Sequence, residues 1–355
     1  MAKILLTGGG TAGHVTPNLA LLPELYERGY EVYYIGSKNG MEADLVKGGG
    51  VKYFPISSGK LRRYFDFQNI TDVARIVKGF SEAIRLLKKM KPDVVFSKGG
   101  FVTSPVVWAA WILKIPVILH ESDYTPGLAN KLSLPFCKLV CLSFPETAKY
   151  ISSKHTVVTG IPIRKELFSG NADTGRKICG FTKNRPVIMV IGGSQGSRIL
   201  NDMIRKGLHQ ILNSYQICHI CGKGGVDESY LKLSGYRQFE YVIEEQPHLF
   251  AMSDIVVSRA GATTLFEILA LRKLNILVPL SKKASRGDQI FNASSFEKQG
   301  FSKVIQEGQL THESLLEMCS DILKNKDYIY KKMLNNQFAD STLKIVEIIS
   351  QFIDK

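Results

Sequence analysis

What this sequence lacks narrows its chemistry before any motif is read. No apolar run reaches the roughly 18–20 residues that a membrane span requires. The longest, Pro105–Leu119, is broken by Lys114 and Pro116. No Gly-Lys-Ser or Gly-Lys-Thr occurs, which excludes a Walker-type phosphate loop. No acid closes the second apolar strand, Val32–Ile35, which runs into Gly36-Ser37-Lys38, so a nicotinamide site would lack its ribose acceptor. Asp-x-Asp is absent as well. A metal-dependent sugar-nucleotide enzyme often uses such a carboxylate pair; any chain without it must meet a diphosphate's charge with helix ends, backbone and arginine. Six cysteines are present, and Cys218-His219-Ile220-Cys221 has no second pair, so these thiols read as core residues of a reducing cytoplasm rather than as a metal or redox site. The start, Met1-Ala2-Lys3, leads straight into an expected strand, so no secretory signal is expected.

Acidic residues are also in short supply, 32 against 46 Lys and Arg, and the resulting +14 calls for an acidic partner. Only two tryptophans are present, and neither a stacking platform nor a recognition helix accompanies the charge. A nucleic-acid partner is therefore not expected, which leaves phosphorylated metabolites and anionic lipid.

What is present is a repeated strand–turn–helix rhythm long enough for two domains. Strands are expected at Ile4–Thr7, Val32–Ile35, Val94–Ser97, Val117–His120 and Val140–Leu142. A second set comes at Val187–Ile191, Gln216–Ile220, Phe239–Val242, Ile255–Ser258 and Ile276–Val278. Short apolar strands alternating with helical patterns predict an α/β fold of parallel sheets with helices on both faces. Gly8-Gly9-Gly10-Thr11-Ala12-Gly13-His14 follows the first strand, with a helix expected over Leu19–Arg28. Gly192-Gly193-Ser194-Gln195-Gly196-Ser197 follows the strand at 187–191, with a helix expected over Ile199–Leu212. The echo predicts two Rossmann-like domains facing across a cleft, 1–163 and 164–340, with a C-terminal helix 341–355 returning to the first. The polar, basic stretch Lys165–Arg185 reads as a linker.

Ligands of such sheets bind at the carboxyl ends of the strands, where four small-residue turns fall: the two glycine loops, Ser97-Lys98-Gly99-Gly100-Phe101, and Ser258-Arg259-Ala260-Gly261-Ala262-Thr263-Thr264. The last opens a helix expected over Leu265–Leu271, and the amide end of a helix beside threonine hydroxyls suits an anion. Glu267 reads either as a first-turn carboxylate favouring the dipole or as an acceptor for two ribose hydroxyls. Asp288 and Gln289 suit sugar hydroxyls, although Asp288 also suits a helix N-cap. Arg164, where the halves join, reads as a surface charge or as a diphosphate bridge. His14 is the side chain suited to moving a proton near neutral pH.

These motifs, in this order, resemble the MurG family of bacterial cell-wall glycosyltransferases over nearly the whole chain. The likeness rests on Gly8–Pro17, Met41-Glu42-Ala43-Asp44-Leu45, Pro92-Asp93-Val94-Val95 and Lys98-Gly99-Gly100-Phe101-Val102. It continues through His120-Glu121, Gly127-Leu128-Ala129-Asn130-Lys131, Gly192–Gly196 and Ser258-Arg259-Ala260-Gly261. The resemblance implies a GT-B fold and no cofactor or metal. It implies transfer of N-acetylglucosamine from UDP-N-acetylglucosamine to the C4 hydroxyl of the muramyl sugar of undecaprenyl-diphospho-muramoyl-pentapeptide, with inversion. It further implies contacts to the substrates from Thr11, Ala12, Gly13, Arg164, Ser194, Val242, Ala262, Thr263, Thr264, Glu267, Asp288 and Gln289. In this picture Val242 meets the uracil, Glu267 the ribose, and Gln289 the N-acetylglucosamine hydroxyls. His14 is a candidate base or an orienting donor to a phosphate, and Glu121 and Asp123 are rival bases. Three positions depart from the family pattern: Ala12 stands where Gly is common, Asp123 where many relatives have Asn, and Asp288-Gln289 where Gln-Gln is frequent.

A polyprenyl acceptor requires a bilayer, so the expected location is peripheral, on the cytoplasmic face of the cell membrane and in contact with anionic lipid. The helix expected over Thr71–Lys91 carries Val73, Ile76, Val77, Phe80, Ile84 and Leu87 as a stripe that reads mostly as core. Its basic flank, with Lys60–Phe65, Trp108 and Trp111, reads as an interfacial patch.

Overall fold

The computed structural model describes residues 1–59, 68–151, 155–193, 196–281, 287–338 and 340–353, with the backbone alone for 68–71. The chain forms two compact units, Met1–Arg164 with Asp340–Lys355, and Lys165–Ala339.

The first unit is built on seven parallel strands: β1 (Lys3–Thr7), β2 (Glu31–Ser37), β3 (Lys52–Ile56), β4 (Val94–Ser97), β5 (Val117–Glu121), β6 (Leu139–Leu142) and β7 (His155–Val158). Their order across the sheet is β3-β2-β1-β4-β5-β6-β7. Alternate residues of the central strands feed two separate cores. Leu5, Ile35, Val95 and Leu119 face helices Gln68–Met90 and Thr103–Ile112. Ile4, Leu6, Tyr34, Phe96 and Ile118 face the other way, onto a core that includes Ile345, Val346, Ile348 and Ile349 of the C-terminal helix Ser341–Ile353. Both faces of the sheet are covered, which is why its strands read as unbroken apolar runs.

The second unit repeats the plan with β8 (Val187–Ile191), β9 (Gln216–Ile220), β10 (Tyr236–Phe239), β11 (Ile255–Ser258), β12 (Leu274–Leu277) and β13 (Lys303–Val304), in the parallel order β10-β9-β8-β11-β12-β13. In both units the chain crosses over at the first strand, β1 or β8. The loops after that strand and its neighbours therefore gather at the carboxyl ends of the strands, beside the crossover.

Several sequence expectations are corrected. The helix after the first glycine loop begins at Ala12, not Leu19, and breaks at Leu21 into Ala12–Ala20 and Leu22–Glu27. The helix expected over Ile199–Leu212 is two, Arg198–Lys206 and Leu208–Ser214, divided at Gly207. The strand expected at Phe239–Val242 lies at Tyr236–Phe239. Lys165–Arg185 is not a linker: helix Ala172–Cys179 is capped by the Asn171 carboxamide, which accepts the Thr174 amide at 2.9 Å. It lies so close to helix Gln246–Met252 that a Cβ on Gly175 would meet His248 O at 2.3 Å. The stripe on helix Gln68–Met90 divides. Leu87 is buried, and Phe80 and Ile84 pack on the core, but Val73 and Val77 are 51% and 60% exposed. The face turned inward there is Asp72–Gly79–Ala83; Gly79 lies against Ser57 O, where a Cβ would come within 1.9 Å. All six cysteines are buried and free. Among the described residues no helix is long and apolar enough to cross a membrane.

Candidate active site

In the first unit the sheet order β1-β4-β5 brings three loops side by side, and with them Thr11, Ala12, Gly13, His14, Glu121 and Asp123. The glycines let two of these loops touch through backbone alone. Gly9 N–H donates to Gly99 O at 3.3 Å, and Gly100, with φ +94°, packs so that a Cβ would meet Gly9 O at 2.1 Å. No L side chain fits that position. Glu42, fully buried, holds the first loop from beneath: its carboxylate accepts Ser37 N–H at 3.0 Å, Ser37 Oγ–H at 2.5 Å and Gly10 N–H at 3.4 Å.

Thr11 is the N-cap of helix Ala12–Ala20, and its hydroxyl lies 3.1 Å from His14 Nδ1 rather than on a helix amide. The same ring nitrogen lies 3.1 Å from Gly9 O. A carbonyl only accepts, so Nδ1 carries the hydrogen, and in the neutral ring Nε2 is the nitrogen that takes a proton.

Glu121, a rival base, is anchored elsewhere. Its carboxylate is 4% exposed and accepts Asp123 N–H at 3.1 Å, Gly127 N–H at 3.0 Å and Asn130 Nδ2–H at 2.8 Å. Burial, and after it the Asp123 charge, push this acid up to about 7. The geometry is that of a staple closing the 121–127 loop. Asp123 is half-buried in that loop, with its own carbonyl accepting from Thr147 Oγ1 at 3.3 Å.

Beneath these loops sits a pair that motif reading passed over. Lys98 is 1% exposed, and its Nζ lies 2.7 Å from both His120 Nδ1 and Ser122 Oγ. His120 Nε2 faces Gly160 O at 2.8 Å, so Nε2 carries the hydrogen and Nδ1 accepts from Lys98. Burial pulls the Lys98 ammonium down to about 7, and burial and the Lys98 charge hold His120 well below the ordinary imidazole value.

In the second unit the loops after β8, β11, β12 and β13 surround a cavity of about 500 Å³. Its lining includes Gly192, Gly193, Ser197, Arg259, Thr264, Leu280, Gln289 and Glu307. Helix Ala262–Ala270 starts here from Gly261 without a side-chain cap, so its amide end points at the cavity rim. Thr264 and Gln289 thus meet at one cavity. Gln289 Oε1 already accepts Leu280 N–H at 3.1 Å, which leaves its amide NH₂ as the donor. Ala262 and Thr263 open the same helix but do not line the cavity. Glu267 is buried in its second turn, not its first, which removes the first-turn dipole reading. Asp288 is not an N-cap; Gly287 is, and Asp288 is the first helical residue. Val242 is buried just past the edge strand β10, away from this cavity, and Arg164 is the last residue of the first unit. Ser194 lies outside the described residues. Among the described residues no group of three or more His, Cys, Asp or Glu is placed to hold a metal ion.

Sequence reasoning also missed Arg259 and Glu307 as site residues. Arg259 stands inside the small-residue turn after β11, but Glu307 sits in an unremarkable polar turn and carries no sequence signal.

The comparisons with known proteins agree across both units. Residues 4–142 match the glycosyltransferase family 28 N-terminal domain, and residues 187–348 match the family's C-terminal domain. A Clostridium tetani protein described as UDP-N-acetylglucosamine–N-acetylmuramyl-(pentapeptide) pyrophosphoryl-undecaprenol N-acetylglucosamine transferase is 55% identical over 350 residues, covering 99% of this chain and 98% of that protein. A Clostridium perfringens protein of the same description is 55% identical over 349 residues, 98% of each. The crystal structure of Acinetobacter baumannii MurG superposes with a TM-score of 0.78 at 26% identity, over 99% of this chain and 100% of that one. CalG4, a calicheamicin glycosyltransferase, shares the fold at 14% identity with a TM-score of 0.72. With two parallel α/β domains of the GT-B type and family likeness running through both, the chain belongs to glycosyltransferase family 28.

Proposed function

We propose that this chain transfers N-acetylglucosamine from UDP-N-acetylglucosamine to the C4 hydroxyl of the muramyl sugar of undecaprenyl-diphospho-muramoyl-pentapeptide, inverting the anomeric carbon, as a step of peptidoglycan synthesis. What carries the reading is that its likeness to the curated transferases runs unbroken through both units.

In this reading the second unit, Lys165–Ala339, holds the donor. The diphosphate lies at the amide end of helix Ala262–Ala270, near Ala262, Thr263 and Thr264, with Arg164 and Ser194 as further contacts. Glu267 accepts the ribose hydroxyls and Val242 lies against the uracil. Asp288 and the Gln289 amide take the sugar hydroxyls. The first unit, Met1–Arg164 with the C-terminal helix, holds the acceptor, its phosphates near the backbone of Thr11, Ala12 and Gly13.

The acceptor hydroxyl attacks C1 from the face opposite the nucleotide. A new C–O bond forms as the C1–O bond to UDP breaks. The hydroxyl proton passes to His14 Nε2, and the charge left on UDP is met by the helix amides and Arg164. The tautomer set by Gly9 O supports His14 as the base over Glu121, which is buried and held by three donors of its own loop; Asp123 is the remaining rival.

The apolar, polyprenyl end of the acceptor is reached from the membrane surface. Trp111, Ile112, Leu128 and Leu132, on neighbouring helices of the first unit, are exposed. With Lys78, Arg85, Lys88 and Lys89, also exposed, they support peripheral binding to anionic lipid on the cytoplasmic face. Lys60–Phe65, the other part of the expected patch, lies outside the described residues.

The test is a transfer assay with a lipid-linked muramyl-pentapeptide acceptor. His14→Ala should lower kcat by about 10²–10⁴ with little change in donor KM, the loss expected of a general base. Glu267→Ala should instead raise donor KM. Unchanged kcat for His14→Ala would pass the base role to Asp123. No transfer to this acceptor by the native chain would refute the proposal.

A further inference from the structure

Arg259 closes the floor of the second-unit cavity and is 6% exposed. Its guanidinium ties four loop ends together. Nε and Nη2 donate to Ser197 Oγ at 3.1 and 2.8 Å, and Nη1 donates to Val278 O at 3.1 Å and Pro279 O at 3.5 Å. Glu307, in the turn after β13, brings Oε2 to 2.6 Å from Nη1. That contact is a charge pair rather than an aligned hydrogen bond, because Oε2 has no hydrogen-bond donor in line with it. The carboxylate is only 12% exposed and lines the same cavity. A site whose helix end favours an anion thus contains a buried anion of its own. Arg259 does not need Glu307 for its hydrogen bonds, since Ser197, Val278 and Pro279 supply acceptors. What Glu307 does is cancel the guanidinium charge at the cavity wall.

We infer that the Glu307 carboxylate is a built-in counter-anion of this pocket that weakens the hold on UDP more than the hold on the sugar nucleotide. The inference rests on the reading that the cavity takes the nucleotide's phosphates. The chemistry of the two ligands differs by charge. The free terminal phosphate of UDP ionises a second time near pH 6, so at neutral pH UDP carries about one more negative charge than UDP-N-acetylglucosamine. A fixed carboxylate penalises the more charged ligand more, which favours release of product and entry of donor. This makes Glu307 a specificity-determining residue that acts through charge and touches no reacting atom.

The experiment is titration calorimetry of the full chain with UDP and with UDP-N-acetylglucosamine at pH 8 and low salt. Glu307→Gln and Glu307→Ala should bind UDP about five-fold tighter and the sugar nucleotide about two-fold tighter, with the gain shrinking as salt is added. Glu307→Asp, which keeps the charge, should stay near the native values. In turnover, the inhibition constant for UDP should fall more than the donor KM. Unchanged or weaker UDP binding in both neutral variants would overturn the inference. So would failure of both to fold, because Glu307 would then be a partner Arg259 cannot do without. Thr264→Ala separates the two layers of argument. If it leaves UDP affinity at the native value, the cavity is not the phosphate site; if it weakens UDP while Glu307→Gln fails to tighten it, only the counter-anion role is wrong.

Discussion

Replacing Lys98 with methionine keeps the length and much of the volume of the side chain and removes a buried amine. In the native fold that amine is enclosed, with Nζ 2.7 Å from His120 Nδ1 and from Ser122 Oγ. Burial lowers its pKa from 10.5 to about 7, against a partial pull upward from Glu121, Asp123 and Cys141. At about 1.4 kcal/mol per tenfold change in the proton equilibrium, that drop is worth about 5 kcal/mol. Between pH 7 and 10.5 the unfolded chain holds a proton on Lys98 that the fold does not. Stability is therefore gained as pH rises through this window and lost as pH falls toward 7. The lysine costs the fold about 5 kcal/mol at pH 6 and about 2 kcal/mol at pH 9.

Lys98→Met removes that cost and leaves His120 Nδ1 and Ser122 Oγ without their donor, a loss of about 1–3 kcal/mol at either pH. The variant should be the more stable protein at pH 6 and lose most or all of that advantage at pH 9. Relative to native its stability should change by about 3 kcal/mol between the two. Both tryptophans of the chain, Trp108 and Trp111, lie in the first unit, so urea unfolding followed by tryptophan fluorescence reports on the unit that contains Lys98. A variant-minus-native difference that is equal at the two pH values, or larger at pH 9, would refute the reasoning.

Gly100→Ala forces a Cβ to within 2.1 Å of Gly9 O at a backbone φ of +94°, so the two glycine turns must part. It should cost the first unit at least about 2 kcal/mol by the same fluorescence assay and abolish transfer, whereas native-like stability would show that the turns can separate freely. The double change Trp111→Glu with Ile112→Glu places two charges on an exposed apolar patch. Co-sedimentation with anionic vesicles should fall about ten-fold while transfer to a short-chain, water-soluble acceptor is kept, and unchanged vesicle binding would move the lipid contact elsewhere.

Among the strands that sequence reading located well, β1, β4, β8 and β11 lie inside their sheets, buried on both faces, and their cores are unbroken apolar runs. Those it missed or displaced are edge or near-edge strands. β3 exposes Lys52 and Pro55, β7 is partly exposed throughout, and β10 alternates buried Tyr236 and Gln238 with exposed Arg237. The helix inside the supposed linker escaped notice because it packs through Gly175, and a glycine contact leaves no hydrophobic signature. His14 stands out in the sequence as a candidate proton carrier from its place at the end of a glycine loop. Which of its nitrogens carries the hydrogen depends on Gly9 O, a neighbour only once the loop has folded back on itself.

By itself, then, the sequence determined the features set by local order: two runs of strand–turn–helix units, glycine loops at strand ends, and the absence of a membrane-length apolar run and of an Asp-x-Asp pair. These need only propensity, periodicity and chain direction. The tertiary structure alone decided which charged groups are paired and which polar ones are buried. Glu42, Lys98 and Glu307 look like ordinary surface residues along the chain. Each becomes a fixed charge or a loop anchor because distant strands bring its partner alongside and remove water from between them, the condition under which a charge or hydrogen bond gains its strength.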